Sequence, residues 1–335
     1  MTRLPLLAEP LTDTFGRRHT NLRISVTDRC NLRCTYCMPE DVTFLPKGEL
    51  LSFEEIAAVV RVAVPLGVDK VRLTGGEPLL RRDLAALVGM LTTIPGLNDI
   101  GLTTNGLLLA KQAAALRAAG LRRVNVSLDT LDPGRFRELT RRDGVEQVID
   151  GLLAAKEAGF TRIKVNAVAI RGFIDADLVP LAHFCRGHGF ELRLIEYMPI
   201  GADAWEREKV VPAHELLEVI DREVAPLAPA TDYDPAAPAM DFEYADTGLK
   251  LGVIASVSRP FCDRCNRLRL TADGKLRNCL FALDELDIRP LLRPEVRPAD
   301  LAAALRENVA AKWAGHTFND ADFVKPTRTM HAIGG

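Results

Sequence analysis

Leu22-Arg23-Ile24-Ser25-Val26-Thr27-Asp28-Arg29-Cys30 runs without a break into Asn31-Leu32-Arg33-Cys34-Thr35-Tyr36-Cys37. The first half, rich in aliphatic and β-branched residues, reads as a strand over Leu22–Thr27. The second half is CxxxCxxC, so the strand hands three thiols to the loop beyond its carboxyl end. Working outward, further strands are expected at Val71–Thr74, Ile100–Thr103, Val124–Leu128, Ile163–Ala169 and Leu192–Tyr197. Between them apolar residues recur at helical spacing, as in Phe53, Ile56, Ala57 and Val60 or Leu84, Leu87, Val88 and Leu91. Ser52, with Glu55 three residues on, resembles a capping box, and Gly67, Gly120 and Gly159 stand where helices should stop. Such alternation implies a parallel sheet with helical crossovers. Six units fall short of the eight of a closed barrel, leaving a partial barrel or an open doubly wound sheet.

The chain has 335 residues, enough for roughly two domains. Its 47% hydrophobic and 26% charged content excludes disorder of the whole chain. The 43 Lys and Arg against 45 Asp and Glu give a formal charge of −2, which excludes a polyanion binder recognisable by bulk charge. No apolar run approaches the ~18 residues of a membrane span. Met1-Thr2-Arg3-Leu4-Pro5 lacks the features of a signal peptide, so the chain is expected to be soluble and cytoplasmic.

The strand–helix alternation runs from Leu22 to Tyr197, and residues 1–224 are expected to form one domain. Residues 225–240, with Pro226, Pro229, Pro235 and Pro238 among Ala and Asp, read as a linker or irregular crossing segment. In the remaining stretch, 241–335, strands are expected at Leu249–Ala255, Leu268–Thr271 and Lys275–Cys279, and helices near Leu283–Leu292 and Pro298–Lys312. Ala272-Asp273-Gly274 joins the second and third of these strands as a hairpin.

The seven cysteines are Cys30, Cys34, Cys37, Cys185, Cys262, Cys265 and Cys279. An odd number without secretion signals argues for reduced thiols. Cys185, in His183-Phe184-Cys185-Arg186, reads as a buried helix residue. The others form two sets of three, CxxxCxxC and CxxC-x13-C, each without a nearby fourth ligand. Structural zinc takes four ligands, which handicaps that reading. Three thiolates leave one iron of a [4Fe–4S] cluster open for chemistry.

CxxxCxxC with an aromatic before its last cysteine resembles the signature of the radical S-adenosylmethionine (SAM) superfamily, and Thr74-Gly75-Gly76-Glu77-Pro78 is similar to its "GGE" turn. Cys262-Asp263-Arg264-Cys265-Asn266-Arg267-Leu268-Arg269, Leu102-Thr103-Thr104-Asn105-Gly106, Asn125-Val126-Ser127-Leu128-Asp129, Glu196-Tyr197-Met198-Pro199 and Gly334-Gly335 extend the resemblance to one of its families, the GTP 3′,8-cyclases of molybdenum cofactor biosynthesis. The resemblance implies a partial (β/α)6 barrel of the radical SAM type with a smaller C-terminal α+β region. It implies two [4Fe–4S] clusters, SAM as cofactor, GTP as substrate and an external electron donor. Cys30, Cys34 and Cys37 would hold the SAM cluster, and Cys262, Cys265 and Cys279 the GTP cluster. Tyr36, Gly76, Ser127 and Met198 fall at SAM-contact positions; Arg23, Arg72, Thr103, Lys164, Arg267, Leu268 and Arg269 fall at GTP-contact positions. Gly334 and Gly335 would reach into the active site. No nucleic acid or membrane partner is implied, and the protein would be a monomer or homodimer. Taken singly, Arg23, Arg72 and Lys164 are also what a solvated strand face carries. Two rival readings are a radical SAM peptide-modifying enzyme and, from another class, an iron–sulfur electron carrier.

The C-terminal hairpin admits a sharper expectation. Side chains alternate along a strand, so Cys265, Arg267 and Arg269 share a face. A two-residue turn would pair Cys279 with Leu268, on the opposite face. A three-residue turn with Gly274 left-handed pairs it with Arg267, on the cluster side.

Overall fold

Burial alternates residue by residue along Arg162–Ala169 and Glu191–Glu196, setting one face against helices and the other against an interior. The computed structural model describes residues 9–320 and 323–334. Twelve strands form one sheet: β1 (Asn21–Ser25), β2 (Lys70–Thr74), β3 (Asp99–Thr104), β4 (Arg123–Ser127), β5 (Arg162–Ala169), β6 (Glu191–Glu196), β7 (Leu227–Pro229), β8 (Met240–Tyr244), β9 (Lys250–Ile254), β10 (Arg267–Leu270), β11 (Lys275–Arg277) and β12 (Leu286–Asp287). The helices are α1 (Phe53–Ala63), α2 (Leu84–Thr92), α3 (Leu109–Ala118), α4 (Pro133–Thr140), α5 (Val145–Glu157), α6 (Ile174–His188), α7 (Ala213–Glu223), α8 (Pro298–Ala310) and α9 (Met330–Ile333). Ser52 and Glu55 form the reciprocal capping box at the start of α1. Gly67, Gly120 and Gly159 take positive φ where helical turns end. Cys185 is buried in α6.

The sheet order is β12-β11-β10-β1-β2-β3-β4-β5-β6-β9-β8-β7. The six expected strands pair in parallel, and the C-terminal region adds one more parallel strand at each side, β10 on β1 and β9 on β6. The outermost strands are antiparallel, and the two edges do not pair, so the barrel stays open.

Leu22, Ile24, Val71, Leu73, Leu102, Val124 and Val126 point outward and pack with Ile56, Val60, Leu87, Leu91 and Leu116 of the surrounding helices. Each such side chain contributes roughly 1.5–3 kcal/mol by leaving water. The inward positions differ from the branched apolar layers that plug a closed barrel. They include Arg23, Arg72, Thr103, Asn125, Lys164 and Glu191, which line a cavity of about 1540 Å³.

Two expectations change. Residues 225–240 contain β7, which pairs with β8; neither strand was expected, since both are short and half-exposed. Leu283–Leu292 is not a helix. Leu286 and Asp287 extend the hairpin sheet instead, with Asp287 bonded to Lys275 at 2.6 Å and Ile288 N donating to Gly274 O at 3.0 Å. Only one 3₁₀ turn, Arg289–Leu291, remains of the helical spacing. Among the described residues no helix is long and apolar enough to cross a membrane.

Candidate active site

The loop beyond β1 is fastened at both ends. Gly76 N donates to Thr27 O at 2.8 Å and Glu77 N to Arg29 O at 2.7 Å, binding the β2 turn to the loop that carries the first cysteines. A Cβ on Gly75 would lie 2.4 Å from Thr27 O, and one on Gly76 2.4 Å from Arg29 O, so only glycines allow this approach. At the far end Arg33 N and Thr35 N donate to Thr140 O and Leu139 O at the end of α4. Glu77 faces away from the cavity. Its buried carboxylate accepts from Leu79 N, Thr104 Oγ1 and Asn105 N, and burial lifts its pKa to about 7.

Cys30, Cys34 and Cys37 line the cavity beyond the carboxyl ends of the strands. Burial first, and for Cys34 and Cys37 the neighbouring thiols next, push these thiols up: Cys30 to about 11, Cys37 to about 12, and Cys34 well above its ordinary value. Leu32 N and Asn105 Nδ2 donate to Cys30 Sγ at 3.4 and 3.8 Å. Tyr36 donates from its hydroxyl to Asp129 at 2.8 Å, and Asp129, raised by burial to about 6, also accepts from Val168 N. Ser127, Gly76 and Met198 line the same end.

The second set lies at the opposite end. The register Arg269↔Arg277 and the bond from Thr271 N to Lys275 O leave Ala272-Asp273-Gly274 as a three-residue turn, with Gly274 at φ +77°. That register continues to Arg267 opposite Cys279, and Cys262, Cys265, Cys279, Arg267 and Arg269 all line the cavity. The pairing Asn21↔Arg267 sets Cys265 level with position 19, six positions before Ser25. That is roughly 20 Å along a strand. The cavity therefore runs through the barrel with a cysteine set at each end.

Between the two ends lies a row of cations. Arg269, Arg23 and Arg72 are register neighbours on β10, β1 and β2. Like charges facing one another across strands destabilise a sheet, so this row has another purpose. Burial first, and nearby cations next, lower all three: Arg23, beside Arg269 and Arg72, well below its usual range, Arg72, near Arg123 and Arg193, to about 9, and Arg269, near Arg267, to about 10. Among the described residues Arg23, Arg72, Arg267 and Arg269 have no ion-pair partner. Arg72 donates to Thr103 Oγ1, Arg269 to Gly334 O, and Arg267 lies over the Phe261 ring. Three other cavity cations are already neutralised: Lys164 by Glu191 at 2.5 Å, Arg123 by Asp99 at 2.7 Å, and Arg193 by Glu191 and Asp241.

The expected residues thus converge on one cavity, with one correction. Leu268 is buried in the apolar core, because alternation turns it away from Arg267 and Arg269. Arg23, Arg72 and Lys164 sit within their strands rather than at the carboxyl ends. Gly334 lies over β1 and β2, where a Cβ would come 2.9 Å from Thr74 Cγ2 and 3.3 Å from Ser25 Cβ; Gly335 lies outside the described residues. Asn125, Asp129 and Arg193 also line the site. Asn125 stands two residues before Ser127 on β4, and that alternation is the signal that would have found it.

The donors suit iron–sulfur clusters rather than single ions. Among the described residues no group of three or more His, Cys, Asp or Glu side chains is placed to hold one metal ion. Each set brings three thiols to the cavity lining.

Comparisons with known proteins agree. Residues 24–185 match the Radical SAM superfamily, and residues 190–318 match the Molybdenum Cofactor Synthesis C family. The GTP 3′,8-cyclase of Rhodopirellula baltica is 49% identical over 330 residues, covering 97% of this chain and 92% of the relative. That of Streptomyces coelicolor is 46% identical over 331 residues, covering 98% and 97%. Among solved structures, Streptococcus suis SuiB bound to S-adenosylmethionine shares the fold with a TM-score of 0.60 at 17% identity, covering 84% of this chain and 62% of SuiB.

Proposed function

We propose, from the premise that this chain belongs to the GTP 3′,8-cyclase family of the radical SAM superfamily, that it cyclises GTP to (8S)-3′,8-cyclo-7,8-dihydroguanosine 5′-triphosphate, an early step of molybdenum cofactor biosynthesis. The observation that carries the reading is the through-cavity, with three thiols at each end and carboxylate-free arginines between. When bound, a [4Fe–4S] cluster on Cys30, Cys34 and Cys37 with SAM supplies one-electron cleavage to methionine and a 5′-deoxyadenosyl radical, and a second cluster on Cys262, Cys265 and Cys279 supplies an open iron for guanine. The protein's part is to hold the reactants in line and keep water out.

Gly76 offers main-chain groups, and Tyr36, Ser127 and Met198 offer side chains, around SAM at the first end. Asp129 fixes the Tyr36 hydroxyl. Arg23, Arg72, Arg267 and Arg269 take the triphosphate by charge-assisted hydrogen bonds, which also relieves their mutual repulsion. Thr103 and Lys164 line the path between, and Leu268 can contribute only its main chain. Gly334, held by Arg269, brings the tail toward the substrate. An external donor supplies the electron.

The test is anaerobic turnover of the reconstituted protein with GTP deuterated at C3′. Deuterium should appear in 5′-deoxyadenosine together with a cyclised product. Release of 5′-deoxyadenosine free of deuterium would sink the reading.

A further inference from the structure

Lys312 lies just beyond α8 and is only 5% exposed. Its ammonium has three protons, and the structure provides three acceptors. Nζ donates to Arg267 O at 2.9 Å and to Asn278 O at 2.6 Å, and approaches Cys265 Sγ at 3.6 Å. Arg267 lies two residues after Cys265, and Asn278 immediately precedes Cys279. One side chain therefore ties together the two hairpin strands that carry these thiols. No carboxylate forms an ion pair with it among the described residues, and the negative groups acting on it are the thiols of Cys265 and Cys279. A buried cation is costly to leave without a counter-charge.

Arg17 makes an instructive contrast. It donates to Cys262 O at 2.6 Å, Ala314 O at 2.7 Å and Trp313 O at 2.6 Å, so it too fastens the cysteine loop to the chain beyond α8. Its charge, however, is met by Asp13 at 2.6 Å, and Asp13 is held in turn by His19. Arg17 braces main chain with its charge neutralised. Lys312 braces main chain with its charge directed at sulfur.

We propose that Lys312 is a positioning residue of the second cysteine set, fixing the spacing of Cys265 and Cys279 through two carbonyls and balancing the negative charge of the thiolates and of the cluster they carry. The proposal rests on the reading of Cys262, Cys265 and Cys279 as a cluster site.

The experiment uses full-length protein reconstituted anaerobically, with Lys312→Met, Lys312→Arg and Arg17→Met beside the wild type. It measures iron per chain and the reduction potential of the second cluster followed by its electron paramagnetic resonance signal. In Lys312→Met the potential should shift downward, because a buried positive charge no longer favours the reduced state, or the iron of the second set alone should be lost. Lys312→Arg should restore both loading and potential toward the wild type. Arg17→Met should lower loading and leave the potential of the loaded fraction in place. Wild-type loading and potential in Lys312→Met overturn the proposal, as does a Lys312→Arg protein no better than Lys312→Met, or an equal shift in Arg17→Met. If the wild-type protein itself takes up iron only at the first set, the reading of the second site fails instead.

Discussion

The two cysteine sets contain the same number of thiols in different settings. Cys30, Cys34 and Cys37 sit on a loop where burial and neighbouring thiols push the group up. In the second set burial likewise raises Cys262, whereas at Cys265 Arg267 and Lys312 outweigh burial and bring it down to about 6. The first set adjoins a glycine edge and a tyrosine held by Asp129, which suit a zwitterionic cofactor. The second adjoins unpaired arginines, which suit a polyanion. Spacing groups the cysteines into two sets of three thiols; the charge around the thiols sets the two ends apart.

The strongest test of that division removes one thiol from each end. Cys34→Ala should abolish release of 5′-deoxyadenosine and retain GTP binding. Cys279→Ala should do the reverse, cleaving SAM without cyclising GTP. Chromatography of 5′-deoxyadenosine and equilibrium binding of GTP read the two arms, and identical defects would erase the distinction.

The cation row should separate the ends less drastically. Arg23→Met or Arg269→Met should weaken GTP binding by roughly 10- to 100-fold, the worth of a hydrogen bond to a charged group. SAM affinity, measured by calorimetry, should hold. A matching loss of SAM affinity would show that the row supports the barrel as a whole.

Glu77 offers a pH test of the first end. Its folded pKa of about 7 lies above the ordinary 4.5, so the folded state binds more protons between those values and loses stability as pH rises through that window. The loss should be roughly 3 kcal/mol, the order of magnitude such a shift carries. Glu77→Gln cannot titrate, so the melting-temperature advantage of the wild type over the variant should shrink from pH 4.5 to pH 7. A constant gap would refute the assignment.

The smallest effect belongs to the hairpin of the second end. Gly274→Ala places a Cβ 2.6 Å from Arg289 Cγ at φ +77°. It should cost about 1 kcal/mol in denaturant unfolding. An unchanged midpoint would mean the turn relaxes without cost, and the register of Cys279 would then need another anchor.

Much of this was legible along the chain. The six strands, the capping box and the helix-stopping glycines depend on alternation, caps and φ preference, which a few adjacent residues carry; the three-residue turn followed only from requiring Cys279 on the face of Cys265. The cysteine sets were legible as two groups of three, and the resemblance supplied their tasks. Leu283–Leu292 misled because helical spacing is a weak claim beside an open strand edge, and Lys275 and Gly274 offered that edge better bonds. Strand β8 was missed because its half-exposed residues leave little apolar alternation to read.

The sequence by itself determined the local elements, the grouping of six cysteines into two sets of three and the face on which Cys265, Arg267 and Arg269 stand. Only the tertiary structure decided that Arg269 would lie beside Arg23, and Arg23 beside Arg72, with the cysteine sets at opposite ends of one passage. The reason is physical. Alternation is a property of one strand, whereas a row across strands depends on pairings between distant segments, which form only when the apolar outer faces close against their helices.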